Sequence, residues 1–263
     1  FFGSLLFAAH PVHVEAVTWL SARKEVLHGF FFFLAFYLYL VAREKQGWKK
    51  ILFSVTVLAS ILMAILSKPS AVVFPAVLLI YEMALGPHRW TDFIKKHRWF
   101  FLVSIFLSSV FTFLLVKVML DAGGIKAYHG GTLLNNLLVS FYVFLYNIKL
   151  LVFTVNYSAA YAVRIPFPLL DVQTLLVIAI VLLLMAGSLW SLKKTKIFFF
   201  SFFFFFFTLL PYLNLFPIST LLADRYVFIA SFSYCFLLGI GFDHIYRFRD
   251  QRFSEGFFKL LSA

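Results

Sequence analysis

Long apolar runs broken by short polar loops set the pattern of this chain. A helix needs about 20 apolar residues to cross a hydrocarbon core. Runs near that length fall at roughly 26–42, 51–67, 70–85, 99–119, 173–191, 197–213 and 226–242, and residues 1–9 read as the end of a further one. The runs are continuous, which excludes a transmembrane β-barrel, whose strands alternate. One more apolar stretch, 133–155, carries Lys149 within it.

The loops give the runs a direction. Arg43, Lys45, Lys49 and Lys50 form one basic cluster, and Arg89, Lys95, Lys96 and Arg98 a second. Lys193, Lys194 and Lys196 form a third, and Arg247, Arg249 and Arg252 a fourth. Short basic loops stay cytoplasmic, so the loops at 10–25, 67–70, 120–132, 156–172 and 214–225 are expected on the other face. Parity then constrains the stretch at 133–155. Both basic loops that bracket it are inside, so it cannot be a single crossing. It is expected to be a re-entrant pair of half-helices, a tight hairpin or an interfacial helix. Lys149 at membrane depth lines a wet cavity or snorkels to an interface.

Composition sharpens the class. Of 263 residues, 63% are hydrophobic and 13% charged, and the mean hydropathy is +0.95. A soluble globule of this size could not hide so much apolar surface. That excludes a soluble enzyme, a nucleic-acid-binding module and a disordered chain. The net charge of +12 is accounted for by the cytoplasmic loops, so no nucleic-acid partner is expected. Cys235 is the only cysteine and forms no intrachain disulfide. The chain reads as a fragment, since it starts without Met and in the middle of an apolar run. The expected fold is an all-α polytopic membrane protein with about 7–9 membrane helices and the re-entrant or hairpin segment near 133–155. Residues 1–245 are expected to form an N-terminally incomplete membrane domain, and 246–263 a cytoplasmic tail or the start of a following segment. The run Phe198–Phe207, broken only by Ser201, reads equally as a lipid-facing helix or as a stretch of misassigned residues, and no function is placed on it.

Polar chemistry gathers in three places on the outer face. The first is His10, His13 and Glu15, followed by Trp19, Arg23, Lys24 and Glu25. Imidazole and carboxylate are ordinary metal ligands, good caps, and good partners for sugar hydroxyls, and all three readings stand. The second is Ser67-Lys68-Pro69, where the lysine either snorkels or offers a point charge to a lipid phosphate. The third is Asp224-Arg225-Tyr226, either an interfacial ion pair with a belt tyrosine or an arginine fork for phosphate.

These residues resemble a known family. His10-Pro11-Val12-His13-Val14-Glu15-Ala16-Val17-Thr18-Trp19, with Ser21-Ala22-Arg23-Lys24-Glu25, resembles a signature of the transmembrane and tetratricopeptide-repeat O-mannosyltransferase family and its bacterial relatives. Leu66-Ser67-Lys68-Pro69, then Pro75 and Tyr81-Glu82, resembles a second segment of that family. Leu210-Pro211, then Leu222-Ala223-Asp224-Arg225-Tyr226 and Ser231, resembles a third, and Tyr142, Tyr146 and Lys149 fit a looser pattern. The matches run in the family's order along nearly the whole chain. Ala22, Glu25 and Ala230 stand where the family commonly has Gly, Asp and Pro. The family's first outer loop, with its expected catalytic acid, and its C-terminal repeats are not in this sequence.

The resemblance implies an inverting glycosyltransferase of the GT-C type. Such an enzyme moves mannose or a similar hexose from a polyprenyl-phosphate carrier to a protein Ser or Thr hydroxyl, or to a glycan, on the non-cytoplasmic face. It implies Glu15 and Asp224 as catalytic carboxylates, and Arg225 and Lys68 as holders of the lipid phosphate. His10, His13, Arg23, Lys149 and Tyr226 would contact substrate. No metal ligand is assigned, though a divalent cation is possible as a cofactor. The form of the Ser67-Lys68-Pro69 segment favours a bacterial plasma membrane with a periplasmic active face over the lumenal face of the endoplasmic reticulum. A lipid-linked glycan flippase or polymerase, a small-molecule transporter and a non-catalytic membrane subunit are the rival readings.

Overall fold

A computed structural model describes the chain except residues 87–90, 93–94, 96, 125, 156, 164–170, 218–219 and 262–263; of 248–261 it describes the helical backbone alone. Arg89 and Lys96 of the second basic cluster lie outside the described residues. Every regular element among the described residues is helical. In chain order these are α1 (Phe2–Ala9), α2 (Val14–Thr18), α3 (Arg23–Arg43), α4 (Gly47–Ser67), α5 (Phe74–Ala84), α6 (Arg98–Asp121), α7 (Leu133–Val152), α8 (Val172–Ser191), α9 (Ile197–Leu209) and α10 (Ser231–Leu261). Single 3₁₀ turns stand at Pro11–His13, Leu20–Ala22, Pro69–Val73, Leu210–Tyr212 and Asp224–Val227.

Five helical stretches among the described residues are long and apolar enough to cross a membrane: Leu20–Arg43, Gly47–Ser67, Arg98–Asp121, Leu133–Val152 and Val172–Ser191. This is fewer than the seven to nine expected. The apolar helices Pro69–Ala84 and Ile197–Tyr212 reach only about 24 Å at 1.5 Å per residue, short of a roughly 30 Å core. Each has a proline at a 3₁₀ turn, Pro69 at the entry of one and Pro211 at the exit of the other. α10 runs without interruption through the expected domain boundary at 245/246.

The expected re-entrant or hairpin segment is instead one unbroken helix, α7. Nothing between 133 and 152 is Gly or Pro, so no residue there breaks the i to i−4 ladder. Thr132 caps it by accepting from Asn135 N at 3.1 Å. The first turn of α7 and the loop that follows the helix both bond to the segment 214–222. Near its start, Asn136 Nδ2 donates to Asn214 O at 2.9 Å. Just past its end, Tyr161 N donates to Leu222 O at 3.3 Å. Asn214 Nδ2 in turn donates to Leu221 O at 3.0 Å, folding that segment back on itself.

The core has two parts that meet at α9. Phe199, Phe200 and Phe204 pack with Phe32, Ile61, Phe74 and Leu78 of α3, α4 and α5. Phe202 and Phe205 pack with Val139, Val143 and Phe144 of α7 and with Val227 and Ala230. The phenylalanine run is thus a central, buried helix and not a lipid-facing one. Its rings are matched on several sides, as in Phe144–Phe205 at 5.5 Å and 67°. α1 crosses α10 at bare backbone: a Cβ on Gly239 would lie 2.6 Å from Gly3 N.

Candidate functional site

The outer-face clusters meet at one end of the bundle. Lys68 precedes Pro69, and the proline ring pushes the residue before it out of the helical region. Lys68 accordingly adopts φ −155°, ψ 123°, which ends α4 and turns the side chain inward. Its ammonium donates to Glu25 Oε1 at 2.5 Å and Oε2 at 2.6 Å. Glu25 is fully buried on the first turn of α3. The ammonium also lies 4.4 Å from the centroid of Tyr212 and 5.5 Å from that of Tyr226. Those two rings stack at 4.6 Å and 12°. Burial draws the Lys68 pKa below its ordinary value, against the pull of Glu25.

Arg225 mirrors this arrangement. Its guanidinium donates to Glu15 Oε1, and its backbone N–H donates to Oε2 at 2.9 Å. The same guanidinium donates to Ala159 O at 3.2 Å. It lies over Trp19 at 5.3 Å and Tyr226 at 5.1 Å. Two cations, two glutamates and three aromatic rings thus form one stack. Beneath it is a narrow cleft of about 10 Å³, lined by Glu25, His28, Ser70, Tyr212, Arg225 and Tyr226.

A directed hydrogen-bond chain floors that cleft. Ala64 O can only accept, so His28 Nδ1 donates to it at 3.3 Å. His28 Nε2 is then the acceptor from Ser70 Oγ at 3.3 Å, and Tyr212 Oη donates to Ser70 Oγ at 2.6 Å. Asp224 stands beside the stack. Its Oδ1 accepts from Tyr161 Oη at 2.6 Å. Burial raises the Asp224 carboxyl to about 6; the Tyr161 and Ser158 hydrogen bonds and Arg225 pull it down, while Glu15 pushes it up.

The two histidines serve the turn between α1 and α2. His10 Nδ1 accepts from Val12 N at 3.2 Å, and Nε2 donates to Leu151 O at 3.2 Å. Both ring nitrogens are thereby used. His13 is buried between Phe7 at 4.7 Å and Phe228 at 4.8 Å. Its Nε2 lies 2.7 Å from Ser231 Oγ. Burial lowers its pKa to about 4, which keeps it neutral. Arg23 is exposed at the first position of α3, and Lys149 is exposed on α7, 5.1 Å from the Tyr146 ring. Neither is drawn into the stack. No set of three or more His, Cys, Asp or Glu side chains converges as metal ligands among the described residues. Among the described residues, His10 caps its own turn and Glu15 is tied to Arg225.

The sequence reading missed Tyr161, Tyr212, Ser70 and His28. His28 was legible, because it stands at i+3 from Glu25 on one helix face. Tyr161 comes from a loop without a motif and carried no signal. Glu82, which the sequence grouped with Lys68, sits at the opposite end of the bundle. There it accepts from Tyr39 Oη at 2.9 Å and lies 3.4 Å from Arg43 Nε.

No protein-family model matches the chain, and no solved structure matches it. A stretch of 85 residues, 32% of this chain, is 35% identical to protein O-mannosyl-transferase TMTC3 of Homo sapiens. A stretch of 83 residues, 30% of the chain, is 34% identical to the Mus musculus protein of the same name. The chain spans 9% of the length of either relative. It is an all-helical, multi-pass membrane chain of which about a third is similar to protein O-mannosyl-transferases.

Proposed function

We propose that this chain is the membrane part of a GT-C-type glycosyltransferase. It moves a hexose from a polyprenyl-phosphate carrier to a protein Ser or Thr hydroxyl on the non-cytoplasmic face. One observation carries the reading: the ion pairs Lys68–Glu25 and Arg225–Glu15, drawn from three distant parts of the sequence, meet with Asp224 beside them at one end of an apolar bundle, where Glu25 and Arg225 line a narrow cleft. The partial similarity to a protein O-mannosyl-transferase supports the same chemistry.

In this reading Asp224 takes the proton of the acceptor hydroxyl, and the hydroxyl oxygen attacks the anomeric carbon. The bond from that carbon to the phosphate oxygen breaks, and the polyprenyl phosphate leaves with the charge. A carboxyl near pKa 6 is well matched to base catalysis near neutral pH. Lys68 and Arg225 hold the departing phosphate. Both already carry a carboxylate, so the phosphate must exchange with Glu25 and Glu15. Tyr212 and Tyr226 keep the cations in place while the exchange occurs.

The test is transfer from a panel of radiolabelled polyprenyl-phosphate hexoses to a Ser/Thr peptide, using the protein in detergent. Arg225→Gln alone strands Glu15, so Glu15→Gln/Arg225→Gln is the second variant. We expect transfer by the wild type and a loss of at least about 100-fold in both variants. Full transfer by a folded Arg225→Gln protein removes the phosphate role of Arg225, and no transfer from any donor removes the reading.

A further inference from the structure

The loop between α7 and α8 is joined to Asp224 by a closed ring of three hydrogen bonds. Asp224 N donates to Ser158 O at 3.4 Å. Ser158 N donates to Tyr161 Oη at 2.9 Å. Tyr161 Oη donates to Asp224 Oδ1 at 2.6 Å. The loop is stiffened locally, because Ser158 Oγ donates to Ala160 O at 2.8 Å and accepts from Ala160 N at 3.3 Å. It is also fastened to the stack through Ala159 O, which accepts from Arg225 at 3.2 Å.

This ring has a direction. A phenol has one proton to give. The Ser158 N–H is itself a donor and points at the phenolic oxygen, so the Tyr161 proton is committed to Oδ1. Among the described residues nothing donates a side-chain hydrogen bond to Oδ2. The charged groups facing Asp224 are Glu15 from α2 and Arg225 beside it, and the titratable phenols of Tyr157 and Tyr161 face it from the loop. Of these, the Tyr161 phenol is the one that donates directly to the carboxylate.

We infer that Tyr161 is the positioning residue of this base: its phenol locks Oδ1 of Asp224 and so presents Oδ2, ionised, to the acceptor hydroxyl. The inference rests on the reading of Asp224 as the base. The buried carboxyl pays for its charge in lost solvation, and a donated O–H favours the ionised form. A proton held by the carboxyl would leave it unable to take another from an acceptor. Tyr161 thus acts on the reaction without touching substrate, by holding Oδ1 and favouring the ionised carboxylate.

Tyr161→Phe tests this, because it keeps the ring against Tyr146, whose centroid is 5.2 Å away, and removes only the hydroxyl. We expect the acid limb of the pH–rate profile for hexose transfer to move up by about one pH unit. With the limb near 6 in the wild type and about one unit higher in the variant, turnover at pH 7 should fall about twofold and turnover at pH 5 about tenfold, with KM for the lipid donor unchanged. Activity lost equally at every pH, with the limb unmoved, overturns the inference. A second readout needs no transfer at all. The pH dependence of the unfolding temperature is measured for wild type and Asp224→Asn, and their difference reports the titration of Asp224 in the folded state. The same difference, measured in the Tyr161→Phe background, should shift to higher pH. Coincident curves overturn the inference even if the chain transfers hexose, and a shifted curve supports it even if the chain transfers nothing.

Discussion

Lys68 and Glu25 show what a buried pair does at the scale of single residues. Neither side chain is more than about a tenth exposed, so removing one partner strands the other charge. Lys68→Met is expected to destabilise by about 3–5 kcal/mol, and Lys68→Met/Glu25→Leu to recover most of that. Unfolding of both variants in detergent checks it; equal losses in the two would mean that packing and not charge dominates there. Asp224 gives the pH dependence. Its folded pKa is raised to about 6 by burial, so as a base it is ionised above that value. Transfer should therefore fall as pH drops through about 6, and Asp224→Asn should leave a low, flat profile. At this scale the sequence exposed the charged members of the site, because each sits in a short polar break between apolar runs. The neutral members stayed hidden. A serine, a histidine and two tyrosines inside or beside apolar runs look the same whether they face lipid, core or cleft.

Helices were the most legible level, and their limits show why. The five long helices fall within a few residues of the apolar runs, apart from the earlier start of Leu20–Arg43, because hydrophobic length is the quantity a bilayer measures. Which way a helix faces was not legible at α9. A run of phenylalanines has no polar stripe to mark a lipid side, and only the neighbours on both flanks bury it. α7 failed differently. Loop charge argued against a single crossing, but an unbroken apolar helix lying along one face has the same composition as one that crosses. Its orientation makes a direct prediction. Lys126→Cys and Val155→Cys, both exposed and placed in a Cys235→Ser protein, should be labelled by a membrane-impermeant maleimide from the same side of intact vesicles. Labelling from opposite sides would mean that α7 crosses.

The whole molecule separates two tasks by distance. One end of the bundle carries the stack of Lys68, Tyr212, Tyr226 and Arg225, and the other closes on Tyr39, Arg43 and Glu82. Between them lies apolar core with the phenylalanine helix through its middle. A bundle organised in this way fixes its outer loops from within, since Gly29 of α3 approaches Phe228 so closely that a Cβ would lie 2.6 Å from the ring. The site turn at 224–228 is thereby held against the helix that carries Glu25.

The pairing of each outer cation with its own glutamate has a consequence for how a donor arrives. The stack presents two positive and two negative charges, so it casts almost no field beyond the roughly 8 Å over which salt already screens a charge. Encounter is then undirected. A phosphate entering the cleft gains its contacts at close range, by exchange, and not by long-range attraction. Binding of a short polyprenyl phosphate should therefore change less than about twofold between low and physiological ionic strength, where an unneutralised pair of cations would give a steep dependence. Titration at the two ionic strengths separates these cases, and a steep loss with salt would mean that the glutamates stand away from their cations before the donor binds.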